Sequence, residues 1–68
     1  MVGIDGFELE GLVEVMYVSG NGKTAWLDYL PCPALAIKAT SVFCAVATQD
    51  GCVYVYSRSG RRLVFSFD

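Results

Sequence analysis

The sequence predicts an all-β fold, an antiparallel meander of short strands, and three observations carry that reading. Apolar and polar residues alternate with a period of two over most of the chain after residue 10, and β-branched and aromatic residues dominate the runs, as half-buried strands require and helices do not. Three turn signals, Asn21-Gly22, Asp50-Gly51 and the weaker Ser59-Gly60, separate the runs, and such dipeptides accept the positive φ angles of a two-residue type I′ hairpin. Residues 13–30 also superimpose on residues 51–68 when slid by 38 positions, so that Val15 falls on Val53, Ser19 on Ser57, Gly22 on Gly60 and Lys23 on Arg61. Ala25, Leu27 and Tyr29 fall on Leu63, Phe65 and Phe67, while Asp28 falls on Ser66.

Each element follows in order. Residues 1–11, broken by glycines and acidic side chains, read as a tail or a poor edge strand. Residues 12–30 read as one hairpin: Val13, Val15 and Tyr17 share a face, Glu14 points the other way, and Thr24 to Leu30 returns antiparallel after Asn21-Gly22. Pro31-Cys32-Pro33 then interrupts the pairing, because proline cannot donate to a sheet ladder. Residues 34–68 read as four short strands: Ala34 to Ala39, Val42 to Gln49, Cys52 to Ser57, and Arg62 to Phe67. With Asp50-Gly51 as a turn centre, Val46 opposes Val55 and Ala47 opposes Tyr54. The stretch Val42 to Ala47 is apolar on both faces, which calls for cover on both sides. A strand-turn-strand unit recurring at roughly 40 residues is the sequence signature of β-propeller blades. The chain then holds the last hairpin of one blade and the whole of the next, about one and a half blades.

Composition points the same way. A 68-residue chain can bury only about 60% of the surface its unfolded form exposes. At 54% hydrophobic and 18% charged residues, it carries more apolar side chains than so small a domain covers comfortably, which suggests part of a larger core. The net charge of −2 offers no basic footprint for nucleic acid or an anionic membrane. The one basic cluster, Arg58, Arg61 and Arg62, brackets a turn, where solvated charges are the rule. Neither a signal peptide nor a membrane-length apolar run is evident; the longest apolar region, Ala34 to Ala47, is interrupted by Lys38, Thr40 and Ser41.

The search for chemistry assigns no catalytic, cofactor-binding or metal-binding residue. The chain has no histidine to serve as the base that a serine or cysteine nucleophile needs. Cys32, Cys44 and Cys52 lack metal-ligand spacing and read as reduced thiols behaving as small apolar residues. Glu8, Glu10 and Glu14 read as a solvated face, Asp50 as a turn residue, and Asp28 as lying on the polar side of its strand. Ser19-Gly20-Asn21-Gly22-Lys23 joins two strands and is no phosphate loop. Trp26 reads as a core residue whose indole N–H is bonded at the rim.

The second unit looks like a WD40-type blade, with Gln49-Asp50-Gly51 as the turn between its second and third strands. Tyr56-Ser57 stands where such repeats often carry Trp-Asp, and the Gly-His dipeptide is missing. Read from Gly22 to Leu63, three motif groups carry a closer resemblance: Trp26-Leu27-Asp28-Tyr29-Leu30-Pro31-Cys32-Pro33, Phe43 to Gly51, and Val53 to Ser57 followed by Ser59-Gly60-Arg61-Arg62-Leu63. In this order they resemble the C-terminal propeller region of the HIRA/Hir histone chaperones. The resemblance covers about two thirds of the chain. It implies a nuclear, non-enzymatic scaffold for replication-independent chromatin assembly and transcriptional repression. It also implies companion subunits of a chaperone complex and core histones as partners, self-association of the region, and no cofactor. A propeller needs at least four blades, so the length implies a partial fragment. The alternative is a small stand-alone β module that binds a peptide by strand addition.

Overall fold

Strands form where the alternation predicts them, and no helix forms among the described residues. The computed structural model describes residues 6–66; the first five residues of the expected tail or edge strand, and Phe67 of the expected last strand, lie outside them. In chain order the strands are β1 (Gly6–Glu10), β2 (Glu14–Val18), β3 (Thr24–Tyr29), β4 (Ala34–Ala39), β5 (Phe43–Thr48), β6 (Cys52–Ser57) and β7 (Arg62–Ser66). They make two antiparallel meanders, β1-β2-β3 and β4-β5-β6-β7.

The hairpin loops depart from the two-residue type I′ turns expected at Asn21-Gly22, Asp50-Gly51 and Ser59-Gly60. Asn21, Asp50 and Ser59 keep negative φ; only the glycine that follows each is left-handed, at 83° for Gly22, 86° for Gly51 and 91° for Gly60. The glycine N–H groups close turns onto the carbonyls of Ser19 (2.9 Å), Thr48 (3.2 Å) and Ser57 (3.0 Å). Each loop is thus a type I turn followed by a left-handed glycine, the three-residue hairpin.

A hydroxyl at the head of each loop selects this geometry. Ser19 bonds Asn21 Oδ1, Thr48 bonds Asp50 Oδ1, and Ser57 bonds Ser59. The same hydroxyls reach the backbone four residues on: Ser19 Oγ donates to the Lys23 carbonyl at 3.0 Å, Thr48 Oγ1 to the Cys52 carbonyl at 3.3 Å, and Ser57 Oγ accepts from the Arg61 N–H at 3.1 Å. These side-chain bonds stabilise the right-handed opening of the loop. The true type I′ geometry occurs elsewhere. Gly11 and Leu12 have consecutive positive φ angles of 57° and 65°, and the Val13 N–H bonds the Glu10 carbonyl at 3.2 Å. A leucine in this region is strained, and it is held there by the Ala34 N–H, which donates to the Leu12 carbonyl at 2.8 Å.

The extra loop residue changes the register of the second sheet. Val46 opposes Tyr54, and Ala47 opposes Val53, not Val55 and Tyr54 as the two-residue turn implied. Side chains alternate with a period of two, so this slip decides that Tyr54 and Tyr56 share the face of Cys44, Val46 and Thr48. A second displacement occurs between Tyr17 and Val18, whose β3 partners are Trp26 and Thr24. The bulge passes over Ala25 and rotates the rest of β3 by one position. Trp26 and Asp28 therefore turn toward the second sheet, while Leu27 and Tyr29 face solvent, 43% and 63% exposed. The alternation had placed Asp28 on the solvated side; the bulge reverses that assignment.

The inward faces meet in one core. Phe7, Val15 and Tyr17 come from the first sheet, Cys44, Val46, Tyr54 and Tyr56 from the second, and Leu30 and Ala34 from either side of the Pro31-Cys32-Pro33 connection. The linker is fastened at both ends: the Leu30 N–H donates to the Val13 carbonyl at 2.7 Å, and the Gln49 N–H to the Pro33 carbonyl at 3.1 Å. Strand β5, expected to be covered on both sides, buries Cys44, Val46 and Thr48 but leaves Phe43 exposed and Ala45 and Ala47 half-buried. Burial pushes the Cys44 thiol up to about 11, which keeps it a neutral, apolar filler.

Candidate functional site

The seam between the sheets gathers the side chains with the most specific geometry. Its spine is aromatic: Phe7 meets Tyr17 edge-on with ring centroids 5.0 Å apart, tilts against Trp26 at 6.1 Å, and Trp26 stacks on Tyr56 at 5.3 Å. Gly60 lies under the indole so closely that a Cβ there would sit 3.0 Å from Trp26 Cγ. The indole Nε1–H donates to the Arg58 carbonyl at 2.8 Å, the rim bond expected of this tryptophan. The sheets are therefore locked by ring stacking plus one hydrogen bond at the exposed rim.

Beside the aromatic spine runs a polar triad. Asp28 Oδ2 accepts from the Tyr56 hydroxyl and from Arg62 Nη1, both at 2.9 Å. The Arg62 guanidinium also lies 5.6 Å from the Tyr54 ring centroid. Burial, and then the bond to Asp28, hold the Tyr56 phenol well above its ordinary range; the Asp28 carboxylate raises Arg62. Arg62 and Asp28 are 44% and 36% exposed, so the ion pair itself is worth at most about 1 kcal/mol. Its role is to orient, since it points Asp28 at a fully buried phenol. The triad leaves no free base or nucleophile, and among the described residues no three His, Cys, Asp or Glu side chains come together as potential metal ligands.

The arginine cluster read from the sequence as solvated charge is divided by the fold. Arg62 joins the triad, Arg61 is exposed, and Arg58 turns onto Tyr17, with Nε donating to the Tyr17 hydroxyl at 3.1 Å and its guanidinium 5.7 Å from the ring centroid. Glu8, Glu10 and Glu14 stand on β1 and β2 outside the core. At the opposite end, Asp50 is held below its ordinary value of 3.8, chiefly by the hydrogen bond from the Thr48 hydroxyl. A depressed carboxyl stabilises the fold above its unfolded pKa and loses that contribution as pH falls through the folded one. Thermal midpoints measured from neutral pH down through the carboxylate range should fall more steeply in the parent than in Asp50→Asn; parallel slopes would remove Asp50 as the acid-sensitive group.

One broad face remains outside the seam. Ala45, Ala47, Val53, Val55, Leu63 and Phe65 share the outward side of the second sheet, with Leu63 and Phe65 56% and 48% exposed. A shallow depression of about 250 Å³ runs over Ala36, Ala45, Ala47 and Val53, with Lys38 at its side.

No family model matches the chain, and no solved structure does. Among curated proteins, it is 44% identical over 50 residues to a protein named HIR1 of Cryptococcus neoformans, a match covering 74% of this chain. It is 48% identical over 47 residues to the histone transcription regulator slm9 of Schizosaccharomyces pombe, covering 69%, and 41% identical over 44 residues to hir1 of the same yeast. The chain carries a Hir-family segment. That segment is short: these matches span about 6% of the length of the first two relatives and about 5% of the third. Within the Hir-family segment, Trp26 and its rim bond are legible from the sequence, whereas Tyr56 stands there only as the counterpart of a Trp-Asp dipeptide. The available signal was the pairing of small Cys44 and Val46 with Tyr56 and Tyr54, concealed by a register error of one residue.

Proposed function

We propose that this chain is a scaffold segment of a histone chaperone propeller: nuclear, non-enzymatic, and acting through protein contacts in replication-independent chromatin assembly and transcriptional repression. On this reading β1 to β3 are the last strands of one blade, Pro31-Cys32-Pro33 is the linker, and β4 to β7 are the whole of the next. One observation carries it. Val15 and Tyr17 are buried against the second sheet, 0% and 8% exposed, whereas their counterparts 38 residues on, Val53 and Val55, lie on the apolar outward face of that sheet. An equivalent face is covered in one unit and open in the next, as successive blades require. The histone regulators among its relatives supply the chromatin setting, with companion chaperone subunits and core histones as the partners.

The test uses the complete polypeptide that carries this segment. Val53→Asp with Phe65→Asp should abolish co-purification of companion subunits and relieve repression of a reporter, while Lys23→Glu, in the exposed loop between β2 and β3, leaves both intact. Unchanged repression and co-purification in the double variant would overturn the reading. The 68-residue chain alone should self-associate through the same face in light-scattering chromatography, because exposed apolar sheet surface and unpaired edges drive association. A second reading, a stand-alone module that binds a peptide by strand addition, is favoured by β7, every residue of which is exposed. A compact monomer that unfolds cooperatively and takes up an extended peptide would establish that alternative.

A further inference from the structure

We propose that the cleft between the two sheets at Arg58 is a docking site for an extended acidic peptide, whose carboxylate sits on the guanidinium and whose neighbouring aliphatic side chain lies on Ala25 and Val42. This goes beyond the propeller reading and does not depend on it. Two adjoining depressions, of about 530 Å³ and about 230 Å³, share Tyr17 and Arg58 in their walls. Ala25 and Val42 line the larger, shallower one; Thr40 and Ser41 line the smaller. A guanidinium therefore stands where an apolar trough meets a hydroxyl-lined one.

Arg58 is aimed before any ligand arrives. Its Nε is committed to the Tyr17 hydroxyl at 3.1 Å, its guanidinium carbon lies 5.7 Å from the Tyr17 ring centroid, and its carbonyl is fixed by the Trp26 indole at 2.8 Å. The terminal nitrogens have no hydrogen-bond partner among the described residues, where the one ion pair belongs to Arg62 and Asp28. A forked donor with its side-chain freedom already spent suits a carboxylate, which it meets bidentately. The opposite wall is also set. Thr40 Oγ1 accepts from the Val42 and Phe43 N–H groups, both at 3.1 Å, and leaves Ser41 at the tip of a braced turn.

The charge count favours a peptide over a nucleic acid. Backbone phosphates are held by several cations at once, whereas Arg58 is the one cationic residue lining this cleft. The apolar trough would stay empty under a phosphate chain but is filled by an aliphatic residue beside a glutamate.

Trp26, the only tryptophan, is bonded to Arg58 and reports binding by its emission. Titrating the 68-residue chain with a short peptide of alternating glutamate and leucine should give a saturable change. Its glutamine-leucine counterpart should bind at least about tenfold more weakly, and Arg58→Gln should weaken the acidic peptide by a similar factor. Arg61→Gln should leave the affinity within about twofold. Ser41→Glu, which places a competing carboxylate beside Arg58 on an exposed turn, should block binding with the fold intact by circular dichroism; it decides the matter if Arg58→Gln fails to fold. Equal binding of the glutamine peptide, equal loss in Arg61→Gln, undiminished binding in Ser41→Glu, or tighter binding of a short oligothymidine would each overturn the proposal.

Discussion

Replacing Tyr56 by alanine is expected to unfold this chain, or to leave it folded only marginally. Tyr56 is 0% exposed, stacks on Trp26 and is bonded to Asp28. Truncating a buried aromatic costs about 3–5 kcal/mol, against a total of about 3–10 kcal/mol for a domain of this size at 0.05–0.15 kcal/mol per residue. Tyr56→Phe isolates the hydroxyl. Asp28 keeps Arg62 as a partner, so this variant should lose only about 1–1.5 kcal/mol, the net worth of one hydrogen bond. Urea melts followed by Trp26 emission measure both, and comparable losses in the two variants would mean that the ring stack contributes little. The hydroxyl also sets an alkaline limit. A phenol whose folded pKa is raised contributes stability that is complete below its unfolded value of 10.0 and is lost as pH rises toward the folded one. The parent should thus weaken above pH 10 in a way that Tyr56→Phe does not.

Gly60→Ala should be more damaging than the same substitution at Gly22. At φ 91° the backbone alone penalises any Cβ by about 1–2 kcal/mol, and here the new carbon would also lie 3.0 Å from Trp26 Cγ and 3.1 Å from Cδ1. The indole cannot simply retreat, because it is pinned by Tyr56 on its face and by the Arg58 carbonyl on its edge. Gly22→Ala is the matched control: its φ of 83° is similar, and nothing lies within 4 Å of the added carbon. It should cost only the backbone part, about 1–2 kcal/mol, with Gly60→Ala exceeding it by about 1–3 kcal/mol for overpacking. The difference between the two melts is the quantity to read; if they coincide, Trp26 is not packed on this turn.

How far the sequence could be read depended on the range of the interactions. The alternation of Val15 and Tyr17 and the runs from Cys44 to Thr48 and Cys52 to Ser57 became strands because period-two patterning is a local property. The rim-bonded tryptophan was legible for the same reason, since an indole in a short strand has few other uses. The loops differ from what the dipeptides Asn21-Gly22 and Asp50-Gly51 imply because the deciding group, the Ser19 or Thr48 hydroxyl, lies two residues earlier. Gly11-Leu12 carries no local turn signal, since a leucine enters the left-handed region only when another part of the chain, here the Ala34 N–H, holds it there.

Local pattern thus settled the all-β class, the antiparallel hairpins, the 38-residue repeat and the break at Pro31-Cys32-Pro33. Register and sidedness were decided by tertiary structure alone. Residue order does not say that β3 skips Ala25, that Asp28 consequently faces Tyr56, that Arg62 rather than Arg58 becomes its partner, or that Val53 stays open where Val15 is closed. A one-residue shift costs little within a hairpin, so the choice falls to packing between sheets: Trp26 on Tyr56 and Gly60, and a half-exposed carboxylate that meets a buried phenol and a guanidinium.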